Sequence, residues 1–212
     1  MKSDQNNLIR KLSLEDLKIA TEIMVEAYQN DPLWLYLVPN EKKRDNISRK
    51  FFKAFLMLQF DSWEYYGVSS PLKGIALWKF PNPTKISTRE KINVLLKSGL
   101  IGFIFSRFIL KYIKIIKIFN RMEALHKKYA VKPHYYLSSI GVKPEYQGKG
   151  VASKLIKPIL LKADQESRSV YLETLTPENV PIYQHFGFKT VERVEFPKEN
   201  LTMWALYRPI KK

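Results

Sequence analysis

The chain has no cysteine, only 3 histidines and 8 glycines, and no apolar run long enough to span a bilayer, in 212 residues. The missing thiol excludes disulfides, thiolate metal sites and a cysteine nucleophile together, and fits a reducing compartment. His126, His134 and His185 are scattered and include no H-E-x-x-H or similar ligand spacing, so no metal is expected. The most lipid-like stretch, "SGLIGFIFS" at 98–106, is bounded by Lys97 and Arg107 and falls far short of the roughly 20 residues a span needs. Lys2, Asp4, Arg10, Lys11, Glu15, Asp16 and Lys18 interrupt the first thirty residues and leave no uncharged signal segment, so the default expectation is a cytoplasmic protein.

Acid is also in short supply. Lys and Arg outnumber Asp and Glu by 36 to 20, a formal charge of +16. Residues 84–133 hold twelve Lys or Arg against Glu90 and Glu123, and so supply +10 of it. Such a surface attracts phosphates, anionic lipid or nucleic acid, although a charge run is more often a solvated face. No recognition-helix or RNA-binding signature accompanies it, so no specific nucleic-acid partner is expected.

What is present is core. A hydrophobic fraction of 45% with 12 Tyr, 12 Phe and 4 Trp belongs to a folded globular chain, and the length fits one domain, 1–212, with a sizeable insertion. "LIRKLS" at 8–13 reads as a strand, and Ser13 with Asp16 three residues on marks a helix start, followed by Leu14, Leu17, Ala20, Ile23, Met24, Ala27 and Tyr28 at helical spacing. A second helix is expected over roughly 41–60. "SWEYYGVSS" and "LKGIALWKF", parted by Pro71, read as an antiparallel strand pair. The basic segment 84–131 reads as a helical insertion. Its charges fall on one narrow stripe at 107, 111, 114, 117 and 121, while Leu100, Ile101, Phe103, Ile104, Phe108, Ile109, Ile113, Ile116 and Phe119 fill the other sides. So wide an apolar face wants cover from the fold, from a second copy of the chain as a homodimer, or from a membrane surface; packing within the fold is the simplest. Downstream come a strand at 134–142, a helix at about 149–166, a strand at 169–175, a short helix at about 177–186 and two last strands, an α/β order whose sheet mixes parallel and antiparallel neighbours.

Within this order, "GVKPEYQGKGVASKLIKPIL" at 141–160 sets two glycines, Gly148 and Gly150, just ahead of an amphipathic helix. Bare backbone before a helix suits phosphate, because first-turn N–H groups lack partners and the helix dipole adds positive potential. The nucleoside-triphosphate loop G-x-x-x-x-G-K-[ST] is excluded, since no glycine pair has its spacing. The dinucleotide pattern G-x-G-x-x-G fits poorly: "KPEYQ" separates Val142 from Gly148, and Ser153 stands at the third glycine. The two glycines could also serve only a left-handed turn.

"V-x-P-E-Y-Q-G-K-G-V-A" resembles the acyl-coenzyme A signature [QR]-x-x-G-x-[GA] of the GCN5-related N-acetyltransferase (GNAT) superfamily, carried here by Gln147, Gly150 and Ala152. "PENVPIYQHFGF" looks like that superfamily's later block, with Asn179, Tyr183, Gly187 and Phe188 in order, so specific matching runs over about 134–190. The resemblance implies a central splayed mixed sheet flanked by helices, with 84–131 an elaboration between strands 3 and 4. It further implies acetyl transfer from acetyl-coenzyme A (acetyl-CoA) to a primary amine of a small acceptor, with no metal. In that picture Ile140, Gly141 and Val142 pair through backbone with the pantetheine arm, and Gln147, Gly148, Lys149, Gly150, Val151 and Ala152 present N–H groups to the pyrophosphate. Asn179 is either a cofactor-contacting amide or a helix cap.

The chemistry needs a neutral amine, a polarised carbonyl and a proton for the departing sulfur. An amine of pKa about 10.4 is neutral roughly one time in 2,500 at pH 7, so a base is required. Glu173 is the best placed carboxylate, with Glu64 as a rival; either may be read instead as a cross-strand ion-pair partner. Tyr183 stands where the superfamily commonly has its general acid, though a tyrosine three residues before Phe186 is otherwise a core residue. The alternative from another class is a weakly catalytic coenzyme A-binding module that attaches to anionic membrane or nucleic acid through the basic segment.

Overall fold

The computed structural model describes residues 9–81 and 108–211, with side chains of the helix starting at Phe108 described from residue 116 onward. The 84–107 part of the basic segment, and with it Leu100, Ile101, Phe103 and Ile104, lies outside the described residues, as do the side chains of Phe108, Ile109 and Ile113.

Seven strands form one sheet in the order β1-β2-β3-β4-β5-β7-β6, namely β1 (Ile9–Lys11), β2 (Glu64–Val68), β3 (Gly74–Lys79), β4 (Tyr135–Val142), β5 (Val170–Thr174), β6 (Lys189–Phe196) and β7 (Leu201–Arg208). All neighbours are antiparallel except β4 and β5. The helices are α1 (Leu17–Ala27), α2 (Pro32–Leu37), α3 (Glu41–Gln59), α4 (Phe108–Tyr129), α5 (Val151–Gln165) and α6 (Asn179–His185). The elements follow the sequence pattern closely; α2 is an addition, although Asp31 ahead of Pro32 is a helix-start signal. The Asp31 carboxylate accepts from Leu33 N at 3.0 Å and Trp34 N at 3.4 Å. Ahead of α1, the Asp16 carboxylate accepts from Ser13 N at 2.8 Å and is gripped by Arg10 at 2.6 and 2.8 Å. Those contacts, the Arg10 hydrogen bond first, hold it down at about 2.

The two faces of the sheet are covered differently. On one, α5 and α6 bury Leu155, Ile159, Ala163 and Tyr183 against Trp78, Tyr135, Val170 and Leu206. On the other, α1 to α3 pack on β2 and β3, and α4 lies over β5 and β7, setting Leu125 and Ala130 against Tyr171, Met203 and Ala205. Glu192 of β6 anchors α4, accepting from Arg121 Nη2 at 2.6 Å, Lys128 Nζ at 2.7 Å and Tyr129 Oη at 2.8 Å. The expected wide burial of α4 is only partly met: Ile118 is fully buried, whereas Ile116 and Phe119 are 42% and 40% exposed, because the helix contributes one face to the fold. Helix α5 runs on either side of Pro158, whose missing N–H removes the helical partner of the Lys154 carbonyl. Among the described residues no helix is long and apolar enough to cross a membrane.

The feature that organises the site is a parting between β4 and β5. They pair only at Tyr135↔Val170 and Tyr136↔Tyr171. Against β3, Leu137 faces Trp78 and Ser139 faces Leu77, so Ser138 is an extra residue and β4 bulges there. A bulge bends its strand and sharpens the twist, and from that point β4 and β5 are no longer neighbours. The later residues of β4 therefore present backbone groups to a wedge-shaped gap.

Candidate active site

At the mouth of the gap, β4 ends at Val142 and the chain reaches α5 through a short turn, Pro144–Tyr146. The Gln147 amide donates to Val142 O at 3.1 Å, tying the loop back to the strand end. Gly148 and Gly150 have φ of +71° and +75°, and a Cβ at either would meet no protein atom within 4 Å. Their glycine identity is thus already required by left-handed backbone, while the space beside them is free for a ligand. Gly150 caps α5, so the N–H groups of Val151, Ala152 and Ser153 have no partner within the helix. Lys73 and Lys149 place their ammonium groups 5.3 and 5.9 Å from the Tyr146 ring, beside this loop. Cations, bare amides and a helix start converge, an arrangement that fits a pyrophosphate.

Ile140, Gly141 and Val142 line the gap with main chain. Gly141 is glycine for another reason: a Cβ there would press on Met24 Sδ at 3.0 Å and Ala27 Cβ at 3.2 Å, so it lets α1 close on β4. Tyr28, which follows the last residue of α1, has in the sequence only the mark of a core position. Its phenol is pushed up to about 12 by burial and by Asp31, partly offset by the Ser139 side chain and the Ile140 backbone of β4. Tyr183 of α6 is buried, its ring edge-on to Phe188 at 6.0 Å. Burial, with Tyr28 adding, drives its phenol well above the ordinary range, so it stays protonated across the physiological range. Asn179 opens α6, whose cap is Glu178, so the amide is not the cap and its side chain is left for other work.

Glu173, on β5, is half-buried on the α4 face with both carboxylate oxygens buried, and neither has a hydrogen-bond partner within 3.5 Å. Burial lifts it from 4.5 to about 7, with Tyr136 and Tyr171 partly opposing the rise. The rival carboxylate is engaged elsewhere: Glu64 binds Lys11 at 3.2 Å, accepts from Tyr66 Oη at 2.6 Å, and lies on β2, two strands from β4. Two histidines that looked scattered meet, with His126 Nε2 2.6 Å from His134 Nε2. His134 Nδ1 is 2.8 Å from the Lys132 carbonyl and must donate to it, so His134 Nε2 accepts from His126. The His126 ring stacks on Tyr171 at 5.0 Å and 5°, fixing the phenol beside Glu173. Among the described residues no group of three or more His, Cys, Asp or Glu could hold a metal.

The fold agrees with what is found in known proteins. Residues 99–190 match the family model described as acetyltransferase (GNAT) domain. Over that segment the chain is similar to the GNAT family. Its activity class is accordingly N-acetyltransferase. A Schizosaccharomyces pombe protein named as an uncharacterized N-acetyltransferase is 28% identical over 200 residues, covering 90% of this chain and 78% of its own length. A Dictyostelium discoideum protein named as a probable serine/threonine-protein kinase is 24% identical over 196 residues, but the match spans only 20% of that protein. Among solved structures, one described as histone acetyltransferase HPA2 and related acetyltransferase from Corynebacterium glutamicum superposes with a TM-score of 0.69 at 19% identity, covering 98% of each chain. Arylalkylamine N-acetyltransferase 2 from Aedes aegypti gives 0.60 at 14% identity, covering 97% of this chain and 100% of that one. At such identities these likenesses speak for the GNAT fold.

Proposed function

We propose that the chain, acting as one domain over 1–212, moves the acetyl group of acetyl-CoA directly to the primary amine of a small acceptor. The observation that carries this reading is the buried, unpartnered Glu173 carboxylate beside a gap that β4 lines with backbone and that opens onto bare amides at the start of α5. The donor supplies an activated acyl group. The chain's residues hold and align it: backbone of Ile140, Gly141 and Val142 along the arm, N–H groups of the 147–152 loop at the pyrophosphate, and Asn179 from α6.

A carboxylate ionising at about 7 suits a base that takes a proton from an ammonium group near neutral pH. Desolvation raises its affinity for the proton, which narrows the gap to the amine. Tyr183 faces the gap from the other side of the sheet. At an ordinary phenol pKa of about 10, transfer to a thiolate whose acid has pKa about 8.5 is uphill by about 2 kcal/mol. Burial raises that cost, so Tyr183 acts chiefly as a hydrogen-bond donor to the departing sulfur. With no cysteine in the chain, transfer proceeds without an acyl-thioenzyme.

Acceptor size is argued from what closes over the end of β5. Leu33 and Tyr36 of α2, Ile118 and Met122 of α4, and Phe196 and Leu201 of the last hairpin form one apolar cluster there. Such a cover suits a compact amine better than a long peptide. Three of the four described Lys and Arg of α4 argue against a membrane or nucleic-acid attachment as its main purpose, since Arg121 and Lys128 are occupied with Glu192 and Lys127 with Glu123, leaving Lys117 exposed. A panel of amines assayed by thiol release tests the proposal. Small primary amines should turn over; acetyl-CoA binding with no thiol release for any amine would overturn it.

A further inference from the structure

We propose that Tyr171, Tyr129 and Glu192 carry to solvent the proton that Glu173 takes up. The proposal rests on Glu173 acting as the base. The need for such a route follows from atom balance: R–NH3+ and an acetyl thioester give the amide, a thiol and one free H+. An N–C bond forms, a C–S bond breaks, and nitrogen gives up two protons. One ends on sulfur, and the other must leave the protein in every cycle. Both Glu173 oxygens are buried, so the carboxyl cannot pass its proton straight to bulk water.

The sheet register supplies a path. Glu173 on β5 and Glu192 on β6 both stand opposite Ala205 of β7. Directly opposed residues share a face, so the two carboxylates lie in one row about 10 Å apart between Cα atoms. Ala205, with its small side chain, packs in one cluster with Tyr171 and Tyr129. Tyr171, two residues before Glu173 on the same face, has a buried hydroxyl without a protein partner. Tyr129 Oη already donates to Glu192 Oε2 at 2.8 Å. The Glu192 side chain is 20% exposed and ends the row at the surface.

Charge around the row is consistent with this direction. Burial first, then Glu173, with Glu192 and Tyr129 adding, drive the Tyr171 phenol far above its usual range, as expected if its hydroxyl faces all three. Tyr136 of β4 faces Glu173 as well, with Ser138 beside it, and leads away from Glu192. From α4, His126 is pushed down to about 4, mainly by burial, and stays uncharged; Arg121 and Lys128 hold Glu192. The step is a relay: Glu173 protonates the Tyr171 hydroxyl as that group passes its own proton, directly or over one water, to Tyr129. Tyr129 passes its proton to Glu192, and Glu192 releases it. Every group returns to its starting form, and nothing is oxidised.

Rapid-quench kinetics on the full chain, with acetyl-CoA and the fastest amine of the panel at a pH well above the Glu173 ionisation, test the relay through Tyr171→Phe and Tyr129→Phe. Glu173 starts ionised, so the first turnover should keep close to the wild-type rate, while later turnovers slow by about tenfold or more. Added imidazole buffer should restore them, and the double variant should be no slower than the worse single one, because both cut the same path. Unchanged steady-state rates, or slowing that imidazole does not relieve, would overturn the relay. Glu173→Gln separates this from a failure of the base assignment: if Glu173 is not the base, that variant keeps a wild-type first turnover.

Discussion

Replacing Glu173 by Gln should change stability and activity in opposite directions at alkaline pH, and the size of the stability effect follows from the burial of the carboxyl. The group ionises at about 7 in the fold against 4.5 ordinarily. An acid raised on folding favours the folded state while protonated, and that advantage is lost as pH rises from the unfolded value through the folded one. Linkage over that interval gives wild type a loss of about 2.5 kcal/mol between pH 5 and 8.5 assignable to this one group. The variant cannot ionise there and lacks this component. Comparing the two slopes, rather than absolute stabilities, removes the cost of fitting an amide among Tyr136 and Tyr171. Urea titrations of both proteins at several pH values read the slopes directly. Over the same series kcat/KM of wild type should rise with pH through about 7, whereas the variant should lose roughly 10²- to 10⁴-fold in turnover. Identical pH slopes of stability would refute the claim that the carboxyl is buried and desolvated, and with it the reason for its basicity.

Two further outcomes are expected. Tyr183→Phe should lower kcat with little change in acetyl-CoA affinity by calorimetry, given its proposed role at the departing sulfur; unchanged turnover at saturating substrate would remove that role. Gly150→Val should abolish acetyl-CoA binding and, because φ there is +75°, also cost about 1 to 2 kcal/mol of stability; normal affinity would refute the phosphate-loop assignment.

The order of strands and the long helices were readable because burial writes its period into the chain: Ala20 and Met24, or Leu155 and Ile159, recur at helical spacing whatever they pack against. The glycine loop was readable for a similar reason, since left-handed backbone leaves a residue-type mark. Contacts that depend on register left no such mark. Tyr28 looks like any helical core residue until α1 docks on β4, where Met24 and Ala27 close on Gly141. Tyr171 and Glu173 share a face by simple alternation, but Tyr136 joins them through strand pairing, and Glu192 joins their row only through Ala205. His126 and His134 are eight residues apart on a helix and a strand edge, and nothing in that spacing announces a 2.6 Å contact. The short α2 was marked by Asp31 and Pro32, yet its six residues give too little period to stand out.

The central claim is that the parting of β4 and β5 is where donor and amine meet. A crystal structure of the protein with acetyl-CoA tests it most directly. The account predicts the pyrophosphate on the N–H groups around Gly148 to Ala152, the arm along Ile140 to Val142, and the acetyl group between Tyr183 and Glu173; a donor bound elsewhere, with that loop free of it, would contradict the account.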